Sequence, residues 1–331
     1  MVNICFVDWW DGFDQNENFI TKILDKHLEY KLVTDPKETD FVFCSVFGKE
    51  FLNYSCPRIL FTGENYVPDF NFYDYAIGFD YIDFGDRYIR YPLYLACYGD
   101  ACAKLETGNI PYVDIKNKGF CSFVVSNHEY AESYREKLFD ALSSYKFVAS
   151  GGKHRNNIEL PNGVEDKMEF ARHYKFAIAC ENASHPGYCT EKIVEAFAAD
   201  TVPIYWGDPY VDKYFNPKAF VNCNEFSNID DVVDYVKKID MNDDLYLDML
   251  KQPKVVEGNF SFNSMREDFS NWLIAVVSQN MDNAYRRNRT GFVNTLEKDS
   301  FILKEYKEKR EKKQESIAKR RKIRLFRGNG G

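Results

Sequence analysis

The stretch Phe176-Ala-Ile-Ala-Cys-Glu-Asn-Ala-Ser-His-Pro-Gly-Tyr-Cys-Thr-Glu-Lys-Ile-Val-Glu-Ala-Phe197, followed by Thr201-Val-Pro-Ile-Tyr-Trp-Gly207, decides how this chain is read. Tyr174–Cys180 is an apolar run of strand length. Glu181 to Cys189 is a polar loop. Thr190–Ala199 carries apolar residues at helical spacing, and Thr201–Trp206 is a second apolar run. Strand, helix and strand in this rhythm predict a parallel βαβ unit. In parallel α/β sheets, ligands bind beyond the carboxyl ends of strands, so loop 181–189 is where chemistry is expected. A polar loop feeding a helix N-terminus presents free N–H groups that suit an anion such as phosphate. Lys192 in the first turn opposes the helix dipole, which an anionic partner would explain. Glu191 suits the dipole as a helix-start residue, and it could equally accept hydrogen bonds from ribose hydroxyls.

The same rhythm extends outward. Phe120–Ser126 reads as a strand and His128–Tyr145 as a helix with Ala131, Tyr134, Leu138 and Leu142 on one face. Nearer the N-terminus, Val2–Val7, Phe41–Phe47, Arg58–Thr62 and Tyr75–Phe79 read as strands, and Asn18–His27 as a helix. Residues 88–111 show no clear period. The break at Asn117-Lys118-Gly119 is the expected domain boundary. A chain of 331 residues suits two domains. The expected fold class is therefore α/β, with two Rossmann-like domains facing a cleft: 1–118 and 119–275. Residues 276–303 form a crossover helix region and 304–331 a basic tail. Met265–Asn288, with Phe269, Trp272, Leu273, Val276 and Val277, is expected to pack across the junction.

Two further loops hold candidates. Glu64 follows the strand Arg58–Thr62, on the opposite side of the expected cleft. There it could take a proton from an acceptor hydroxyl, although a loop glutamate is ordinarily solvated. The stretch Ser150-Gly-Gly-Lys-His-Arg155-Asn-Asn157 offers two glycines for close backbone approach and Arg155 for bidentate phosphate binding. An ordinary charged turn would have the same composition. No dinucleotide-binding glycine fingerprint, P-loop or nucleophile elbow is present. There is no Asp-x-Asp pair, and the five histidines lack ligand spacing, so no metal is expected.

The net charge is −8, and it is unevenly spread. Residues 304–327 hold twelve basic and four acidic residues, a surplus of 8 that leaves the rest at −16. An acidic body argues against nucleic acid as partner. The end of the tail, 317–327, mixes Ile317, Ile323, Leu325 and Phe326 with basic residues, the pattern of a helix lying on an anionic membrane. A solvated charged tail is the other reading. The 28 Phe and 23 Tyr fit sugar-stacking surfaces or, more simply, large aromatic cores. Nine scattered cysteines read as reduced, buried thiols in a cytoplasmic protein. No signal peptide or membrane span is evident.

The chain resembles the α-1,3-fucosyltransferases. Their pattern is Glu-Asn, a short gap, Tyr-x-Thr-Glu-Lys, then Val-Pro-Ile/Val-Tyr-Trp-Gly, and it stands here at 181–182, 188–192 and 202–207. The likeness continues through Phe215–Val221, Phe123–Asn127, Gly151–Asn156, Phe61–Asn65, Asp74–Asp80 and Tyr94. It spans roughly residues 1–290 and is strongest toward bacterial members that make Lewis-type antigens. The resemblance implies a GT-B architecture with GDP-fucose on the second domain and the acceptor on the first. It implies Glu64 as general base, with Arg155 and Lys192 neutralising the departing diphosphate. Asn182, Tyr188, Thr190, Glu191, Ser126 and Asn127 would form the donor site. No cofactor is required beyond GDP-fucose as donor, and N-acetyllactosamine-type glycans are the expected acceptors. The expected setting is a bacterial cytoplasmic enzyme, with peripheral attachment to the inner membrane through the tail as an extension. The chain is short after Pro92-Leu-Tyr94 and carries no heptad repeats, which leaves acceptor choice, linkage and oligomeric state open. Another inverting transferase of the same architecture, or a non-catalytic sugar-binding protein, are the alternatives.

Overall fold

The structure is a computed structural model describing residues 1–108, 115–126, 130–256, 258 and 261–328. Two parallel sheets organise it. The first holds Val2–Val7 (β1), Tyr30–Leu32 (β2), Phe41–Cys44 (β3), Arg58–Phe61 (β4), Tyr75–Gly78 (β5) and Tyr88–Arg90 (β6), in the order β2-β1-β3-β4-β5-β6. The second holds Gly119–Phe123 (β7), Val148–Ser150 (β8), Tyr174–Cys180 (β9), Val202–Trp206 (β10) and Val221–Asn222 (β11), in the order β11-β10-β9-β7-β8. Every residue of β3, β4 and β5 is buried, as expected where a parallel sheet is covered on both faces.

The helices are Thr21–His27 (α1), Leu93–Cys97 (α2), Gly99–Glu106 (α3), Tyr134–Tyr145 (α4), Lys167–Arg172 (α5), Lys192–Ala198 (α6), Ile229–Asp240 (α7), Asp243–Lys251 (α8), Phe262–Val277 (α9), Met281–Ala284 (α10) and Phe292–Gly328 (α11). Asn228 and Asn242 cap α7 and α8 by accepting the Asp231 and Leu245 amides at 2.9 and 3.0 Å. The helix expected over 128–145 begins at Tyr134. Residues 88–106, which show no periodicity, hold β6, α2 and α3, each too short to display one.

The expected boundary at 275 is replaced by an earlier crossing. Helix α9 starts at Phe262, capped by the Ser261 hydroxyl on the Ser264 amide at 2.9 Å, and returns to the first sheet. Phe269 stacks on Tyr91 with ring centroids 4.1 Å apart, and Trp272 Nε1 donates to the Asp86 carbonyl at 2.8 Å. The apolar stripe of α9 matches that sheet's open face, which is why it docks there. Tyr94, Phe215 and Phe262, from three separate segments, meet with centroids 5.6–5.7 Å apart and knit the domains together.

Beyond α10 the chain is held by charge. Asp74, wholly buried, accepts the Arg58, Arg286 and Arg287 amides at 2.8, 2.8 and 2.9 Å and pairs with the Arg287 guanidinium. Glu297 on α11 meets buried Arg58 at 2.6 Å, and Lys304 meets Glu50 at 2.8 Å. Among the described residues no helix is long and apolar enough to cross a membrane. All nine cysteines are free thiols, and only Cys97 is exposed.

Candidate active site

Glu181 sits at the carboxyl end of β9, tied to β10 by its N–H on the Trp206 carbonyl at 2.8 Å. Its side chain is wholly buried. Oε1 accepts the Thr190 N–H at 2.7 Å and Oε2 the Thr190 hydroxyl at 2.6 Å, which closes loop 181–190 into a ring. Gly207 seals it from the far side, where a Cβ would stand 2.4 Å from Glu181 Cγ. Lys192 Nζ lies 3.0 Å from Glu181 Oε2, 2.7 Å from the Thr190 hydroxyl and 3.3 Å from Glu191 Oε1. The position of Lys192 in the first turn of α6 thus has an internal explanation: two carboxylates answer its charge.

Burial works hardest on these groups. It raises the Glu181 pKa, opposed by Lys192. Burial also disfavours the Lys192 and Glu191 charges, but their mutual attraction, with Glu181 adding to it at Lys192, outweighs it. Lys192 is therefore raised and Glu191 lowered. The ammonium keeps its charge, and 22 % of the Lys192 side-chain surface is exposed.

Glu64 follows β4 on the opposing domain and is exposed, with its carbonyl held by the Thr62 hydroxyl at 2.9 Å. Its charge reaches the donor-side loop: burial, then Glu181, then Glu64 raise the Tyr188 phenol, against Lys192. The acid expected as base therefore lies within electrostatic reach of the loop expected to take the donor.

The remaining expected residues are less simply arranged. Tyr188 is 1 % exposed and packs on Phe79 at 5.1 Å, so it underlies the loop rather than lining an open cleft. Asn182 Oδ1 accepts from buried Arg135 at 2.8 Å, and its carbonyl accepts the Glu132 N–H at 2.7 Å. Ser126 is exposed after β7. Asn127 lies outside the described residues. Arg155, at φ 55°, is engaged by Asp140 through both terminal nitrogens and by Glu136 at 2.6 Å. Gripping a diphosphate would require it to exchange partners. The glycines before it serve packing within the protein: a Cβ on Gly152 would stand 2.0 Å from the Val125 carbonyl. Among the described residues no group of three His, Cys, Asp or Glu is placed to hold a metal. A cavity of about 1240 Å³, bordered by Lys26, Tyr98, Arg172, Asp200 and Arg266, lies at the far end of α6, away from these residues.

Comparison with known proteins gives this arrangement its context. Residues 4–98 match the family described as Alpha-(1,3)-fucosyltransferase FucT N-terminal domain, and 114–267 match Glycosyltransferase family 10 (fucosyltransferase) C-term. A solved α1,3-fucosyltransferase with GDP-fucose is 33 % identical, with a TM-score of 0.69 over 87 % of this chain and 93 % of that one. The chain belongs to the α-1,3-fucosyltransferases of glycosyltransferase family 10. A second solved α1,3-fucosyltransferase gives a TM-score of 0.73 at 30 % identity, over 88 % of this chain and 93 % of that one. The Helicobacter pylori Alpha-(1,3)-fucosyltransferase FucT is 36 % identical over 287 residues, 75 % of this chain and 59 % of that protein. The chain thus spans about three-fifths of that relative's length.

For this family member the expected GT-B fold, two Rossmann-like domains about a cleft, is the observed one. Glu181, which is not among the residues expected to act, is an element of the site. Its signal was available: an acid directly after a seven-residue apolar strand, nine residues ahead of a Thr-Glu-Lys helix start.

Proposed function

We propose that this protein transfers L-fucose from GDP-β-L-fucose, with inversion, to the 3-hydroxyl of GlcNAc in N-acetyllactosamine-type acceptors. The observation that carries the reading is the Glu181–Thr190–Glu191–Lys192 ring, with Glu64 of the other domain within electrostatic reach of Tyr188 in the same loop. It occurs in a chain one-third identical to a solved α1,3-fucosyltransferase with GDP-fucose. In the step, Glu64 accepts the acceptor hydroxyl proton as that oxygen bonds to the fucose anomeric carbon. The bond from that carbon to the β-phosphate oxygen breaks, and its electron pair leaves with GDP. Negative charge grows on the diphosphate, where Lys192, and Arg155 once released from Asp140, stabilise it more than in the ground state. Thr190 and Asn182 hold the loop in shape, and Glu191 accepts ribose hydroxyl hydrogen bonds. The purified protein, incubated with GDP-fucose, N-acetyllactosamine and EDTA, is expected to release GDP and form a trisaccharide detectable by mass spectrometry. Folded protein that neither binds GDP-fucose nor forms product would sink the proposal.

The products we infer are Lewis x-type structures on bacterial surface glycans such as lipopolysaccharide O-antigen, made on the cytoplasmic side. We also infer that residues 317–327 rest on the anionic inner membrane. The charge surplus of the tail supports this, as do Phe301, Ile302, Leu303 and Tyr306, exposed on the preceding turns of α11. Sedimentation with phosphatidylglycerol vesicles, but not phosphatidylcholine vesicles, is expected. Equal sedimentation with both, or with neither, would refute it.

A further inference from the structure

The loop that ends in Thr190-Glu191-Lys192 passes the joint between the domains at residues 185–187, and two acids grip it there. Asp208 Oδ1 accepts the Gly187 N–H at 2.8 Å and the Tyr210 N–H at 2.9 Å. Asp80, just beyond β5, meets His185 Nε2 through Oδ1 at 3.0 Å. Gly187 has φ +86°, and a Cβ there would stand 2.4 Å from the Phe79 carbonyl, so the two domains touch backbone to backbone.

Arg90, the last residue of β6, reaches this same spot. Its Nε donates to the Phe79 carbonyl at 2.8 Å. Its guanidinium lies over the Tyr81 and Tyr214 rings, 4.7 and 4.4 Å from their centroids. Both terminal nitrogens of Arg90 are buried and make no hydrogen bond among the described residues, and the same holds for Oδ2 of Asp80 and Oδ2 of Asp208. Burial pushes both carboxyls up. His185 at Asp80, and the Gly187 and Tyr210 amides at Asp208, hold them down, and the Arg90 charge helps at each. Buried carboxylates without a counter-charge are costly. Arg90 is the cation common to both grips, with His185 adding to it at Asp80 and Lys213 at Asp208.

We propose that Arg90 is a positioning residue for the donor loop. Its charge, and its bond to the Phe79 carbonyl, keep Asp80 and Asp208 on residues 185 and 187, and so fix Tyr188, Thr190 and Lys192. Its terminal nitrogens are buried, so it acts through the loop without touching the donor. The inference rests on the reading that this loop receives GDP-fucose.

The test uses the full chain with R90Q, R90K and H185N. Hydrogen exchange over 183–192 is read first, without donor, and is expected to quicken in R90Q while exchange in β9 and β10 stays as in the unmodified protein. If only about a tenth of the loops remain in the competent arrangement, the donor KM rises about tenfold. The acceptor KM should stay within about twofold, because the competent fraction governs donor binding alone. R90K should recover part of the loss, since it restores the charge without the guanidinium fork. Unchanged exchange over 183–192 in folded R90Q, or equal rises in both KM values, would overturn the proposal. Should R90Q fail to fold, H185N, whose side chain is one-third exposed, carries the test. Faster exchange over 183–192 supports the proposal there, and unchanged exchange overturns it. Absence of fucosyl transfer by the unmodified protein would count against the functional reading alone, because the exchange arm needs no donor.

Discussion

Lys192→Ala is expected to remove a structural counter-charge and a catalytic one together, and a second substitution separates them. Lys192 Nζ lies 3.0 Å from Glu181 Oε2, and Glu181 is wholly buried. Without the ammonium, the carboxylate keeps only the Thr190 amide and hydroxyl. Removing one partner of a buried pair costs about 3–5 kcal/mol. The Lys192 side chain keeps 22 % of its surface exposed and the Thr190 bonds remain, so the lower end, about 3 kcal/mol, is expected. Separately, a transition state robbed of a cation at the leaving group should slow on the order of 100-fold. The double variant E181Q/K192A buries no charge, and its amide can still meet the Thr190 amide and hydroxyl. It should recover most of the stability and none of the rate. The sign with pH is also set. Burial raises the Glu181 pKa, and losing Lys192 raises it further. A folded-state value above the unfolded one gives stability that is complete below the unfolded carboxyl range and is lost as pH rises through the folded value. The deficit of K192A should therefore be smaller at pH 5 than at pH 8. Urea unfolding at both pH values, with GDP release under saturating donor, measures all of this. Equal instability of K192A and the double variant, or a deficit indifferent to pH, would refute the reasoning.

Glu64→Gln should lower kcat by about two or more orders of magnitude, as loss of a general base does, with an unchanged melting temperature because the side chain is exposed. Near-normal turnover would remove Glu64 from the mechanism. Gly187→Ala should weaken GDP-fucose binding measured by calorimetry, because its Cβ would need the space of the Phe79 carbonyl at a backbone angle alanine resists. Asp140→Asn loosens the hold on Arg155, so the donor KM should fall a few-fold. A rise would mean that Asp140 aims Arg155 toward the donor.

Much of the frame was legible because its elements are long or strongly patterned. Tyr174–Cys180 was read to the residue, since six apolar positions of seven, between polar loops, leave little choice. Helix α7 was equally readable in principle, with Val232, Val233, Val236 and Ile239 at helical spacing behind an Asn228 cap. What escaped depends on distance in sequence. Nothing near Arg58 announces Glu297, and nothing near Arg90 announces Asp208. Glu181 looked like a loop acid because burial belongs to the fold and not to the residue. The fate of Arg155 turned on Glu136 and Asp140, one turn apart on the polar side of a helix whose apolar face was legible but whose polar side does not announce a partner fifteen or more residues away.

The return of α9 to the first sheet has a consequence for how the chain is made. That sheet is complete at Arg90, yet the helix covering it begins at Phe262, about 170 residues later. At ordinary translation speeds this interval lasts on the order of 10–30 s. Throughout it, the face bearing Phe19, Phe61 and Tyr91 has emerged without Phe269 to cover it. The second sheet, contiguous from Gly119 to Asn222, has all its strands within the same interval. The domain begun first is therefore the domain completed last, and during synthesis the aromatic surface destined to become the joint is the part of the nascent chain most in need of protection.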